Sequence, residues 1–240
     1  KQYGYFKWLP VTSLIVTGYP LAVVCGGFTL GMFAVCFGLL RLGLPRRGRE
    51  AFPALLILVT TGLASMGAEL CVLLYFQSNV GYLYAHAGLF FGVYMAGLAA
   101  GAAWTLRRGP RREGDRKPPL PGAAGLFSGM LALTPAWLEL TRITGISLPL
   151  VECLLLIWLA ALAGITGVIF TLVSGEARRA GLDLLSAAGW ADAGDCAGGA
   201  LGALLTGVIL VPLTGLVNTL FMLGGLMGLS GLTCLWLSRR

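Results

Sequence analysis

Few side chains in this sequence could do chemistry, and those that could are carboxylates set among apolar residues. Glu69 stands alone inside the apolar run 52–76, about five turns in if the run is helical. Asp192 and Asp195 lie three residues apart, which places them on one helical face. Glu152 sits near the start of another apolar run, and Glu139 and Arg142 share a spacing that allows them to pair. An ionisable group at membrane depth is costly and marks either a functional site or a structural partner. Glu69 is therefore expected to be a neutral, hydrogen-bonded carboxyl joining two helices, or a carboxylate that binds a proton or another cation. Asp192 and Asp195 are expected to open a helix, where the N-terminal dipole favours acidic groups, or to form a cation site with the adjoining loop. Glu152, Glu139 and Arg142 are expected at the outer water–lipid boundary.

Other chemistries find no footing. The six cysteines form no CxxC or Cys/His cluster, so neither a zinc nor an iron–sulfur site is expected, and they read as small apolar side chains. The single histidine, His86, cannot supply both axial ligands of a b-type haem. No GxSxG, HExxH or Walker A pattern occurs, and the glycine-rich run 198–202 is embedded in apolar sequence. No metal, no cofactor and no catalytic residue is predicted.

The elements that must position these carboxylates follow from composition. Of 240 residues, 57% are hydrophobic and 11% charged, against roughly 25% charged in a soluble domain. Mean hydropathy is +0.85. There is too little polar surface to cover a soluble domain, so lipid must cover it. The net charge of +7 does not indicate nucleic acid, because the basic residues fall in short clusters between apolar runs: Arg46, Arg47 and Arg49, then 107–117, then Arg178 and Arg179, then Arg239 and Arg240.

Runs of about 20 apolar residues suffice to span a bilayer. The sequence predicts an all-α, polytopic membrane protein with about seven transmembrane helices at 20–42, 52–76, 87–106, 120–140, 148–174, 190–213 and 216–237. These form a single bundle over 20–240, preceded by an interfacial segment at 1–19 whose Tyr3, Tyr5, Phe6 and Trp8 suit the boundary. Pro212 and Gly215 mark a tight turn between the last two. Polar loops are expected at 77–79 and 176–183. Alternating crossings place every basic cluster on the same side, as the positive-inside rule requires, with the N-terminus outside and the C-terminus cytoplasmic. The expected location is a bacterial inner membrane.

Thirty-six glycines run through these helices. Gly27 and Gly31, Gly97 and Gly101, Gly125 and Gly129, Gly198 and Gly202, and Gly224 and Gly228 each form a small-xxx-small pair, a device for close backbone approach in lipid.

Two regions carry a family resemblance. TTGLASMGAELCVLLYF with YAHAGLFFGVYMAGLAAGAAW, and GVIFTLVSG with GWADAGDCAGGALGALLTGVILVPLTGL, together resemble the transmembrane domain of bacterial membrane-bound spermidine-synthase-like proteins, which fuse a major-facilitator-like unit to an enzyme domain. The resemblance covers about 60% of the chain. It implies that Gly62 and Glu69 are the glycine and glutamate of an early helix and that Gly97 to Gly101 is a GLALG-like helix. It further implies that Asp195, Gly198, Gly202, Pro212 and Gly215 belong to a late helix and its turn. This chain departs from the pattern at Thr105-Leu106-Arg107-Arg108, where the family has Asp-Arg, and at Asp192, where it has tyrosine. The soluble aminopropyltransferase domain has no counterpart in these residues, so the resemblance bears on the membrane fold and not on polyamine synthesis.

The leading expectation from sequence is a non-catalytic membrane subunit. It would anchor or couple other protein subunits in a respiratory or electron-transfer assembly, with quinone contact on the side of Glu69 and His86. One alternative is a transporter of small solutes or cations with Glu69 and Asp195 in its pathway. The other is the membrane part of a spermidine-synthase-like enzyme whose catalytic domain is a separate chain.

Overall fold

Away from water each backbone N–H and C=O must be satisfied within the chain, and a helix does this for every residue it contains. The computed structural model describes residues 18–43, 52–81, 83–108, 120–143, 147–179, 181 and 183–237, and nearly all of them are helical. In chain order the helices are α1 (Gly18–Gly43), α2 (Phe52–Val80), α3 (Leu83–Arg107), α4 (Leu120–Ile143), α5 (Leu148–Arg179), α6 (Leu184–Leu204) and α7 (Val211–Leu237), with a π-helical segment at Leu205–Leu210 between the last two. Five helical stretches are long and apolar enough to cross a membrane: Phe52–Asn79, His86–Arg107, Leu120–Thr141, Pro149–Arg179 and Leu185–Leu237. In α1 the apolar part Cys25–Gly38 is shorter. The chain is a helical membrane protein. Of the expected interfacial segment 1–19, only the last two residues lie among those described, where they begin α1.

Several polar stretches that read as loops are helical instead. Ser78 Oγ and Asn79 Nδ2 both donate to the Tyr75 carbonyl, at 2.8 Å each, so these side chains cap their own helix and α2 continues to Val80. Glu176 and Arg179 pair at 2.7 Å one turn apart, which carries α5 to Arg179. Gly181, at φ 87°, then provides the left-handed residue that lets its N–H reach the Arg178 carbonyl at 3.0 Å.

The start of α6 corrects an expectation. The helix begins at Leu184, with Asp183 as N-cap accepting from the Ser186 N–H at 3.3 Å. Asp192 and Asp195 therefore lie more than two turns inside the helix and cannot cap it. The residues between, Leu184 to Gly189, hold no proline and propagate a helix without showing a clear apolar stripe. The Ser186 hydrogen bonds hold the Asp183 carboxyl below its ordinary value. A depressed carboxylate adds stability that is full above the ordinary carboxylate range and is lost as pH falls through the lowered value. Protection of the first-turn amides of α6 against exchange, relative to the unstructured rate at the same pH, should thus fall below about pH 4, near the model-peptide value, and Asp183→Ala should show the lowered protection at neutral pH as well.

The stretch Leu184–Leu237 would measure about 80 Å if straight, well over twice the hydrocarbon thickness. It does not run straight. Gly215 has φ 80° and ψ 167°, a conformation closed to residues with a Cβ, and it breaks the helix. Before this point Gly198 meets Val59, Gly202 meets Leu63 and Thr206 meets Gly67, so α6 rises with α2. After it, Leu223 meets Gly67 while Met227 lies against Thr60 and Thr61, so α7 descends against α2. The chain reverses at Gly215, where the Pro212–Gly215 turn was expected.

α2 is the hub, with 83% of its most apolar stretch buried against 22–39% in the other long helices. Two parallel pairs are built on glycine. In one, the Gly198 and Gly202 positions of α6 abut the Val59 and Leu63 carbonyls of α2; in the other, Gly97 and Gly101 of α3 abut the Ala160 and Gly164 carbonyls of α5. In lipid such contact supplies dispersion energy that side-chain burial alone does not. α4 is held differently, by hydrogen bonds across helices: Tyr75 to the Leu138 carbonyl at 2.8 Å, Ser128 to the Gly224 carbonyl at 2.8 Å, and Trp158 to Thr134 at 3.1 Å. Of the five glycine pairs, those at 97/101, 198/202 and 224/228 meet another helix, whereas Gly27, Gly31, Gly125 and Gly129 face open space.

Candidate functional site

The two glycine-packed pairs enclose a polar cluster between them. Gly62, Ser65 and Glu69 fall at i, i+3 and i+7 on one face of α2. Tyr94 comes from α3, Thr166 from α5 and Asp195 from α6. Ser65, Glu69, Tyr94 and Thr166 are all buried, Glu69 to within 1% of complete, and Asp195 is half-buried. Tyr94 lies within electrostatic range of Ser65, Thr166, Glu69 and Asp195.

Gly62 explains how Asp195 is seated. A Cβ on residue 62 would lie 2.9 Å from Asp195 Oδ1 and 2.6 Å from its carbonyl oxygen, so the aspartate occupies the space that the glycine leaves. Higher along α2, Gly67 makes the same kind of room for Thr206 Oγ1, at 2.7 Å from a Cβ there. Thr206 sits within the π-helical segment, a wider turn that aims side chains off the regular helical face.

Glu69 Oε1 and Asp195 Oδ1 are buried with no hydrogen-bond partner; Thr206 Oγ1, beside Gly67, is also unpartnered and keeps its hydrogen to give. Ser65 has already donated to the Gly62 carbonyl at 3.1 Å, and Thr166 to the Leu162 carbonyl at 3.2 Å. A hydroxyl has one hydrogen to give, so both present lone pairs to what remains. No ion pair reaches Glu69 or Asp195 among the described residues. The described salt bridges, Glu176–Arg179 and His86–Glu152, lie at helix ends. Two carboxyls without a counter-charge must be neutralised by protons or by a bound cation.

Sequence reasoning singled out Glu69 and Asp195; Tyr94 is within electrostatic range of both, and Asp195 is seated at Gly62, two turns along α2 from Glu69. Asp192 is exposed, one turn before Asp195 and within its electrostatic range. Glu152 does not belong to the cluster: it meets His86 at 3.4 Å, tying α5 to α3 near their first turns. His86 also stacks edge-on with Phe76 at 5.5 Å, and Glu69 lies seven residues before Phe76, about 10 Å down the helix axis. Glu69 and His86 are thus two turns apart and do not form one site. The side chain of Arg142, the expected partner of Glu139, lies outside the described set. Gly97, Gly101, Gly198 and Gly202 pack the helices that carry the cluster, and Pro212 and Gly215 turn the chain above it. Tyr94, Ser65, Thr166 and Thr206 had no sequence signal beyond being polar in apolar helices.

No family model, curated protein or solved structure matches this chain.

Proposed function

We propose that this chain is a seven-crossing protein of a bacterial inner membrane, N-terminus outside, that works as an ion-linked carrier of small solutes or cations. The observation that carries this reading is Glu69: it is buried to 1% exposure with Oε1 unpartnered and in no ion pair among the described residues. A purely structural carboxyl would have its oxygens engaged, because an unmet buried acceptor costs about 1–3 kcal/mol. A group that takes up and releases an ion must leave part of its valence open. The topology is supported by the parallel pairing of α2 with α6 and α3 with α5, and by the reversal at Gly215. Alternation of this kind brings Arg41, Arg107, Arg178 and Arg179 to one end of the bundle, where Arg41 lies over Phe37 at 5.9 Å and Arg108 over Trp104 at 3.7 Å.

The reading is checked by capacitive current measurements on proteoliposomes adsorbed to a solid-supported membrane, against a panel of inorganic cations, amines and amino acids. Wild-type protein is expected to give charge displacement with at least one member, and Glu69→Gln none. Silence of the wild type across the panel, or currents that persist in Glu69→Gln, would overturn it.

A second reading, the membrane subunit without catalysis of its own, is favoured by a different observation. Gly88 and Gly92 on α3, and Gly122, Gly125 and Gly129 on α4, have nothing within 4 Å and form uncovered small-residue faces of the sort that accept a partner helix. Gentle purification with fixed-stoichiometry co-eluting proteins would support this reading, and a lone monomer would count against it. Of the positions that carry the spermidine-synthase-like resemblance, Gly62, Asp195, Gly198 and Gly202 lie at the contact of α2 with α6, while Gly97 and Gly101 pack against α5.

A further inference from the structure

We propose that the C-terminal end of α3 holds one anionic phospholipid, its phosphate on Arg108 and Arg107, its glycerol region against Trp104, and an acyl chain along the exposed alanines of the same helix. The site requires only that α3 crosses the bilayer, whatever the bundle carries. The Arg108 guanidinium lies over the Trp104 indole, 3.7 Å from its centroid, and both side chains are exposed. They stand one turn apart on the helix. Trp104 is 51% exposed and takes part in no ring–ring contact among the described residues. The comparable pair of Arg41 and Phe37 is looser, at 5.9 Å, and Phe52 already meets the Phe37 ring edge-on at 5.0 Å. Packing accounts for Phe37 but not for Trp104. A guanidinium stacked on a ring keeps its in-plane N–H groups free. Neither Arg107 nor Arg108 meets a carboxylate among the described residues, whose salt bridges are Glu176–Arg179 and His86–Glu152. A planar fork of donors fits two oxygens of a phosphate. Stacking fixes its direction before a ligand arrives, which lowers the entropy lost on binding. Position then selects the source of the phosphate. The apolar stretch of α3 ends at Arg107, the level of the headgroups, where tryptophan and arginine both favour the boundary. Ala96, Ala100, Ala103 and Arg107 recur at i, i+4, i+7 and i+11, which sets them on one face, and all four are exposed. This track lies to one side of the Gly97–Gly101 seam with α5. A soluble anion gains nothing from it, whereas a phospholipid held by its phosphate lays an acyl chain there. Two arginines suit a phosphate diester that carries no amine of its own, because the choline of a zwitterionic lipid would be repelled by them.

The test is native mass spectrometry of the detergent-purified chain, titrated with phosphatidylglycerol or with phosphatidylcholine of the same acyl composition. One phosphatidylglycerol is expected to bind ahead of any others, about fivefold more tightly than phosphatidylcholine, the effect of one cation near an anionic headgroup. Trp104→Leu should weaken that first site about threefold, the scale of an exposed cation–π contact. Arg108→Lys should weaken it as well, although the charge is kept, because an ammonium gives up both the fork and the stacking. Arg41→Gln, on a helix packed against α7 and α2, should leave it unchanged. Trp104 and Arg108 are exposed, so these variants are expected to elute as the wild type does. Trp104→Phe, which should weaken the site less, takes the place of Trp104→Leu if that variant aggregates. Equal binding of the two lipids overturns the site. So does a first site indifferent to Trp104→Leu or to Arg108→Lys, or one weakened as much by Arg41→Gln, since each outcome reduces it to diffuse attraction toward a basic rim. Displacement of the bound lipid by inorganic phosphate would overturn it too, by showing a site for a soluble anion.

Discussion

Gly101→Leu is expected to abolish the folded protein, while Gly92→Leu, on the same helix nine residues earlier, leaves it intact. A Cβ at residue 101 would fall on the carbonyl of Gly164, and backbone cannot swing aside as a side chain does. The same seam contains Gly97 against Ala160 and Gly167 against Leu98 and Ala102, so relief at one point opens all of it. Overpacking of this kind costs about 3 kcal/mol or more, a large share of the stability of a domain. At Gly92 nothing lies within 4 Å, so a leucine there meets lipid. The comparison is made by size-exclusion profile and thermal denaturation in one detergent. Similar behaviour of the two variants would contradict the packing of α3 on α5. Should α3 carry a partner helix on its Gly88–Gly92 face, Gly92→Leu would strip that partner while the isolated chain kept its stability.

How far the site could be read from sequence depended on which residues are conspicuous in an apolar helix. Glu69 is, because a carboxyl at that depth is costly and marks either a site or a structural partner. Pro212 and Gly215 are, because together they cannot continue a helix, and the break falls at Gly215. Asp195 was visible but assigned to a helix start, since the apolar pattern sharpens only near Trp190. The better signal was Asp183 with Ser186 three residues on, a capping spacing followed by helix-permissive residues. Tyr94 and Thr166 were not legible at all. A threonine in an apolar helix most often bonds its own backbone, as Thr60, Thr105 and Thr171 do here, and a tyrosine hydroxyl reaches whichever helix packs beside it, as Tyr75 reaches the Leu138 carbonyl. Only the pairing of α3 with α5 makes Tyr94 and Thr166 neighbours. That pairing is not readable from glycine spacing, because Gly125 and Gly129 show the same spacing and pack against nothing. Glycine spacing reports the capacity for close approach, and the choice of partner is made by the shape of the whole bundle.

Glu69→Leu should raise stability while removing ion binding altogether. Leucine is close to glutamate in volume and fills the same space, but brings no polar atom that must be met. In the wild type Oε1 is buried without a partner. Removing an unmet polar group from such surroundings is expected to gain about 1 kcal/mol, in the range of known stabilising substitutions, which in a chain this long corresponds to a Tm higher by about 2–4 °C. Glu69→Gln keeps the polarity, loses the charge, and should lose ion binding with little change in Tm. The sign of the leucine effect separates two roles. A glutamate that served as a hydrogen-bonded strut between helices would leave its partners stranded when truncated to leucine, and the protein would melt several degrees lower. A glutamate kept for ion binding is tolerated at a cost to the fold, and its removal relaxes that cost. A lower Tm in Glu69→Leu would make Glu69 a structural residue and transfer the search for the ion to Asp195.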